Sequence, residues 1–239
     1  MIINVMKQII QTSAGTYSYA FRPIFAGIKP IDKVIAKENL FLLKDICDEA
    51  GLKFILFYGT LLGAIREHDF ITHDEDIDLV MRKEDRPLLL PLLFKLRELG
   101  FEVAREDERG ILSIIRKGEY IDIYWYETYQ PDPRLKYCSR NICKKEYIDE
   151  LAEIDFLGRQ FYVPRDYIDF LVYYYGTNWQ TPVKQFNFKM TKWELRKRTA
   201  IEYLKLLMPR CLTRPALRRK TEHEREEWLK HIYETEQLK

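Results

Sequence analysis

The chain has few cysteines and no two of them form a C-x-x-C pair. Cys47, Cys138, Cys143 and Cys211 are spread over 239 residues, a spacing that fits no zinc pattern. Reduced thiols in a cytoplasmic protein are the simplest reading. Cys138 and Cys143 flank a basic, turn-like stretch, but zinc sites favour tighter ligand spacings. Long apolar runs are missing too: none approaches the ~18 residues of a membrane span. The N-terminal MIINVMKQIIQTSAG has no basic start followed by a long apolar core, so it is not read as a signal peptide. A strong net charge is also lacking. The formal value is +2, which does not suggest a nucleic-acid binder. That charge is unevenly spread, however: residues 189–239 carry 14 Lys/Arg against 8 Asp/Glu, a net +6 that leaves the rest near −4. Internal repeats and low-complexity tracts are absent.

The hydrophobic share of 46% is enough for a sizeable core in a chain long for one domain and short for two. The aromatic share of 14% includes 16 Tyr and 13 Phe. Such side chains serve core and shell packing or line polar, sugar-contacting clefts.

Residues 1–29 are loosely patterned and read as an N-terminal arm. From Pro30 the apolar residues Leu40, Leu43, Ile46 and Cys47 recur at helical spacing, and Gly51 is placed as a stop. Residues 53–58, KFILFY, read as a buried strand and 59–67 as a short helix. Residues 76–81 alternate acid and apolar, as a strand with one wet edge does. A helical stretch then runs to Leu99, with Pro87 tolerable in a first turn and Pro91 bending it or marking a later start. Strands are expected at 101–105, 111–116 and 120–126, with turns at 108–110 and 117–119. Residues 128–164 look irregular apart from a strand at 159–163. A helix is expected over 165–175, and the last fifty residues read as helical with breaks near Pro209 and Pro215. This order implies an α/β or α+β sheet with an antiparallel portion, a main domain over residues 30–188 and a basic helical extension over 189–239.

The segment FYGTLLGAIREHDFITHDEDIDLVM, residues 57–81, carries the chemistry. Asp76 and Asp78 are two apart, so on a strand their side chains share a face. Two such carboxylates can hold magnesium and leave positions open for substrate phosphates; without a cation their repulsion raises both pKa values. Asp122, in YIDIYWY, is the candidate third acid, to bridge a second metal or take a proton. Gly59 and Thr60 follow a strand and open a helix whose free N–H groups suit a phosphate. Arg66 is placed to add a charge-assisted bond to it. His73 is either a substrate contact or loop packing. Asp74 and Glu75 read as supporting or solvent-facing.

The segments YGTLLGAIR…HDEDIDLVM, YIDIYWYE and FLGRQFYVPRDYIDFLVYYYGTNWQTP resemble the LicD family, which includes the fukutin-related proteins. The resemblance spans about residues 38–183. It implies a nucleotidyltransferase-like mixed sheet flanked by helices, and transfer of a phosphorylated alcohol from a CDP-linked donor to a sugar hydroxyl. The cargo is phosphocholine in bacterial members and ribitol phosphate in fukutin-related ones, and the setting is lipopolysaccharide, capsule or teichoic acid synthesis. By matching positions, Gly59 and Thr60 would meet donor phosphates, Asp76, Asp78 and Asp122 would hold one or two magnesium ions (manganese as the substitute), and Arg66 matches the family's basic residue. Many members have a Trp where this chain has Thr72-His73. Two rival readings stand beside this one: nucleotidyl transfer from an NTP to a small molecule or protein, and a non-catalytic glycan- or membrane-assembly partner. The expected partners are a CDP-alcohol, a glycan or glycolipid acceptor and, through the basic C-terminus, an anionic membrane at the inner cytoplasmic face; nucleic acid is not among them.

Overall fold

The structure is a computed structural model that describes residues 7–25, 29–107, 109–182, 190–208 and 210–237. Strands β1 (Lys7–Thr12) and β2 (Gly15–Ala20) form an antiparallel hairpin. Residues 7–20, expected as part of a loose arm, therefore have regular structure. The hairpin buries Ile10, Tyr17 and Tyr19. Arg97 lies 3.8 Å over the Tyr17 ring and donates to the Ser18 carbonyl at 2.7 Å, which ties the hairpin to the main body.

Helix α1 (Lys33–Glu49) starts at Asp32, whose carboxylate accepts from the N–H groups of Val34 and Ile35. It buries Leu40, Leu43, Ile46 and Cys47, the residues its spacing singled out. Next come β3 (Ile55–Leu56), α2 (Tyr58–Arg66) and β4 (Ile77–Arg82). Strand β3 is shorter than the apolar run 53–58 because the chain turns into α2 at Tyr58. That residue sits at φ 43°, in the left-handed region, which is uncommon for a non-glycine side chain and strained for a bulky one.

The proline-bearing stretch breaks into short pieces: a 3-10 turn Lys83–Asp85, α3 (Arg86–Leu89), a second 3-10 turn Leu90–Leu92, and α4 (Leu93–Glu98). Pro87 and Pro91 each sit at the start of a piece, where the missing N–H has no helical partner to lose. Strands β5 (Glu102–Asp107), β6 (Ile111–Arg116) and β7 (Glu119–Thr128) form the expected meander.

The irregular stretch expected after it contains two hairpins instead. These are β8 (Leu135–Cys138) with β9 (Asn141–Lys144), and β10 (Leu151–Phe156) with β11 (Arg159–Pro164), separated by α5 (Glu146–Asp149). The second turn is Leu157-Gly158 at φ 57° and 89°, two positive values that match the twist of a two-residue hairpin.

Among the described residues the nine-stranded sheet has the order β10-β11-β3-β4-β7-β6-β5, with β8 pairing the end of β7 and β9 pairing β8. The β11–β3 and β4–β7 pairs are parallel and the others antiparallel. The sheet is thus mixed and helix-flanked. Leu56, Ile77, Leu79, Ile121 and Ile123 of the sheet and Leu61 of α2 are buried in one core; each such side chain contributes about 1.5–3 kcal/mol of transfer free energy.

Helix α6 (Tyr167–Tyr175) ends at Gly176, φ 82°. Helices α7 (Lys192–Leu207) and α8 (Arg210–Gln237) follow. Thr191 and Glu194 form a reciprocal capping box at the start of α7. The break expected at Pro215 is absent, because that proline lies inside α8; Pro209 falls outside the described residues. Helix α8 docks through Trp228, Leu229 and Ile232 on Leu135, Ile142 and Tyr173, and Trp228 stacks on Tyr174 at 5.6 Å.

A candidate active site of buried carboxylates

Strands β4 and β7 are parallel neighbours, and their register sets Asp78 beside Asp122. Ile77 and Leu79 on one strand, and Ile121 and Ile123 on the other, are buried on the opposite face. Both aspartates are buried as well, at 8% and 2% exposure. Asp76 lies in the bend just before β4 and stays half-buried, so the cluster opens towards solvent on its side.

The carboxylates differ in how they are compensated. Asp122 accepts from Arg105 Nη2 at 2.7 Å and from the Ser113 hydroxyl; Ser113 faces it across the β6–β7 ladder. Burial raises its pKa, and Arg105 and Ser113 pull it back. Burial works against the Arg105 charge, which Asp122 and Asp107 more than offset. Asp78 accepts from the Gly59 N–H at 3.2 Å and the Tyr124 hydroxyl at 3.2 Å. Burial first, then Asp76, Asp74 and Asp122, push its pKa well above the ordinary carboxylate value. Asp76 is pushed the same way by burial, then by Asp122, Asp74 and Glu75, with Arg105 the cation that opposes the shift. Ionised together, Asp76 and Asp78 would concentrate negative charge in a low-dielectric setting, with Arg105 opposing it at Asp76.

Asp74 belongs to this cluster rather than to a supporting or solvent-facing turn. Burial raises its pKa, and its carboxylate lies over Gly59 so closely that a Cβ there would run into Asp74 Oδ2. A side chain at 59 would displace the Asp74 carboxylate.

Gly59 and Thr60 adjoin the acids, as expected, but their groups are already engaged. The Gly59 N–H donates to Asp78, and the buried Thr60 hydroxyl accepts from the Asp78 N–H at 2.8 Å. Thr60 braces the end of β4 in this arrangement, and the expectation of free N–H groups is corrected at Gly59. His73 is exposed in the turn before Asp74, and its positive form favours the ionised Asp74. Arg66 is directed elsewhere: Nη1 donates to the Trp179 carbonyl at 3.1 Å and Nη2 pairs with Glu67 at 2.8 Å, while Nε is buried with no hydrogen-bond partner. It anchors the buried Trp179 to α2 rather than lying bonded to the acids.

Tyrosines form the rest of the wall. Tyr120, Tyr124 and Tyr175 all have pKa values raised by burial and then by the acids. Tyr174, packed 4.8 Å from Tyr58, is pushed up to about 12 by burial and then by Asp78. Tyr174 also lines a cleft of about 640 Å³ with Tyr147, Tyr173 and Trp228. Arg105, Ser113 and Tyr124 escaped the sequence reading, and Asp74 reads from the sequence only as supporting or solvent-facing although it continues the i, i+2 spacing of Asp76 and Asp78. Arg105, Ser113 and Tyr124 carry no local signal, because they meet Asp78 and Asp122 across the sheet.

Residues 51–166 match the family model described as LicD/FKTN/FKRP, nucleotidyltransferase domain. The chain carries a LicD-family domain. That domain contains Gly59, Asp74, Asp76, Asp78, Arg105 and Asp122, and it makes the fold nucleotidyltransferase-like and the domain one of the transferase type. An uncharacterized protein of Rickettsia prowazekii (strain Madrid E), RP689, is 34% identical over 68 residues, 27% of this chain and 26% of that protein; the match spans about a quarter of that relative's length. Among solved structures, the lincomycin-bound lincosamide antibiotic adenylyltransferase LnuA aligns with a TM-score of 0.42 at 12% identity, over 71% of this chain and 96% of the other. The antibiotic-resistance factor ANT(2'')-Ia aligns with a TM-score of 0.48 at 18% identity, over 86% and 97%. At TM-scores below 0.5 these two likenesses carry no argument.

The LicD-family domain implies a divalent cation, and the donor set here fits an open site. Asp76 and Asp78 offer hard oxygen ligands, and burial and the neighbouring acids make both costly to ionise, against the opposing effects of Arg105 at Asp76 and the Tyr124 hydroxyl at Asp78. Among the described residues no three His, Cys, Asp or Glu side chains close into a cage. Asp122, expected as a third ligand, is held by Arg105 and Ser113. The fit is to two carboxylates with the remaining positions left for water and substrate.

Proposed function

We propose that this protein transfers a phosphorylated alcohol from a CDP-linked donor to a sugar hydroxyl of a cell-surface glycan or glycolipid, at the cytoplasmic side of the membrane. The observation that carries the reading is the Asp76–Asp78 pair beside the start of α2, inside a LicD-family domain. A buried Asp78 beside a half-buried Asp76 is costly to keep ionised unless a ligand of opposite charge adds to what Arg105 supplies.

In this reading Asp76 and Asp78 hold magnesium, or manganese in its place. The ion, when bound, neutralises charge on the donor phosphates. The Gly59 N–H and Tyr124 hydroxyl orient Asp78. Asp122, whose ionised form Arg105 and Ser113 favour, takes the proton from the acceptor hydroxyl. The acceptor oxygen forms a bond to the distal phosphorus as the bond from that phosphorus to the bridging oxygen breaks, and CMP leaves with the electron pair. In this reading His73, exposed in the turn before Asp74, meets an incoming phosphate. Tyr120 and Tyr124, half-buried beside the acids, limit water there, and this reading assigns the acceptor to the cleft that shares Tyr174. Fixed charge and positioning supply most of the acceleration.

Labelled CDP-choline, CDP-ribitol and CTP, incubated with the protein, magnesium and envelope glycans, test the proposal. CMP release with label appearing in the glycan supports it. Pyrophosphate release from CTP, with no turnover of CDP-alcohols, moves the reading to nucleotidyl transfer.

A further inference from the structure

Helix α7 has two faces, and the molecule covers one of them. Leu195, Thr199, Glu202, Tyr203 and Leu206 are half-buried, and Tyr203 meets Phe21 edge-on at 6.1 Å. On the other face Trp193, Ala200, Leu204 and Leu207 recur at helical spacing and lie in the open. Trp193 is 68% exposed, Leu204 60% and Leu207 59%, with Ile201 and Met208 beside them. A soluble surface seldom lines up side chains this large on one helix face without a use for them.

The charges around that face are of one sign. Lys197 lies within it, its ammonium 5.3 Å from the centre of the Trp193 ring, and Lys192, Arg196, Arg198 and Lys205 surround it. The two acids of the helix are engaged: Glu194 in the capping box and Glu202 with Lys205 at 2.6 Å. An apolar strip bearing Trp and Leu, bordered by Lys and Arg, is the chemistry of a helix that lies in the headgroup region of an anionic bilayer. Trp favours that depth, and the long basic side chains reach back to lipid phosphates. A second copy of this chain fits less well, because pairing two such faces about a two-fold axis sets Lys197 and its basic neighbours against their own kind.

We propose that α7 is an interfacial anchor that lays Trp193, Leu204 and Leu207 into an anionic membrane surface. It is a helix that rests on the bilayer: among the described residues no helix is long and apolar enough to cross one. The inference is independent of the transferase reading, since it concerns where the chain sits and not what the carboxylates do.

The test is flotation of the full chain with vesicles of phosphatidylcholine alone and of phosphatidylcholine mixed with phosphatidylglycerol. Binding is expected to the mixed vesicles only, with a blue shift of Trp emission and quenching by brominated lipid. Trp193→Phe should remove the emission changes while leaving flotation largely intact. Trp193→Glu with Leu204→Glu should abolish flotation, and Arg196→Ala with Lys197→Ala should weaken it roughly thirtyfold. All four positions are exposed, so the variants should keep the wild-type circular dichroism and Tm, which are recorded alongside. Absence of flotation on mixed vesicles at low salt would overturn the proposal. So would flotation unchanged in the double Glu variant, or a lipid-free dimer that this variant dissociates.

Discussion

The centre of the sheet and helix α7 break the burial rule in opposite directions. Strands β4 and β7 place Asp78 and Asp122 inside, where charge is costly, while α7 places Trp193 and Leu204 outside, where apolar surface is costly. The difference lies in what compensates each. At the sheet part of the compensation is internal, since Arg105 and Ser113 serve Asp122, and the proposed function assigns a cation to Asp76 and Asp78. At α7 the described chain leaves most of Trp193, Leu204 and Leu207 exposed. The first region is thus a site half completed by the protein, and the second is a surface completed by something else.

The comparison is broken most severely at the acids themselves. Asp76→Asn or Asp78→Asn should lower transfer by roughly 10²–10³-fold, the scale of losing one preorganised electrostatic contact, with the circular dichroism unchanged; a steady-state assay of CMP release reads it. Arg105→Gln acts on the compensated acid. It leaves Asp122 buried and without its cation, and breaking such a pair should cost about 3–5 kcal/mol in denaturant unfolding. Gly63→Ala tests the turn that carries Asp74, because a Cβ there would sit 2.6 Å from the Asp69 carbonyl oxygen and 3.1 Å from the Ile71 nitrogen. Both neighbours are backbone, so a loss of about 1–3 kcal/mol is expected.

The smallest effect has the opposite sign. The folded-state pKa of Asp76 lies above its unfolded value of 3.8. Ionisation therefore destabilises the native state as pH rises from the lower value through the higher, and the cost is complete above the folded pKa. In the presence of a chelator at pH 7, Asp76→Asn should melt a few degrees higher than wild type. The gap should close as pH falls towards 3.8, which a series of thermal melts across pH would follow.

The strands β4, β6 and β7 and the helix α1 were legible because each carries its own periodicity in a continuous run. The hairpins β8–β9 and β10–β11 were not, because their turns, Ser139-Arg140 and Leu157-Gly158, lack the Asn-Gly type of signal that marks positive φ. The same division holds in the site. Asp76 and Asp78 announce themselves by spacing, and Asp122 by its apolar neighbours. Arg105 is two strands away from Asp122 in the sheet, so no local pattern points to it; Asp74 continues the same i, i+2 spacing, but from the loop before β4, where that spacing does not by itself fix a shared face. Arg66 looked like a phosphate ligand from its distance along α2, but the buried Trp179 carbonyl, far along the chain, claims it.

The most direct measurement is a thermal shift of the wild type and Asp76→Asn with magnesium alone, a CDP-alcohol alone and both together. If the two acids complete themselves with a cation and a donor diphosphate, Tm rises most with both ligands in the wild type, and that added rise is lost in the variant. No shift at millimolar ligand, or an equal shift in the two proteins, would contradict the assignment of this cluster as the site of transfer.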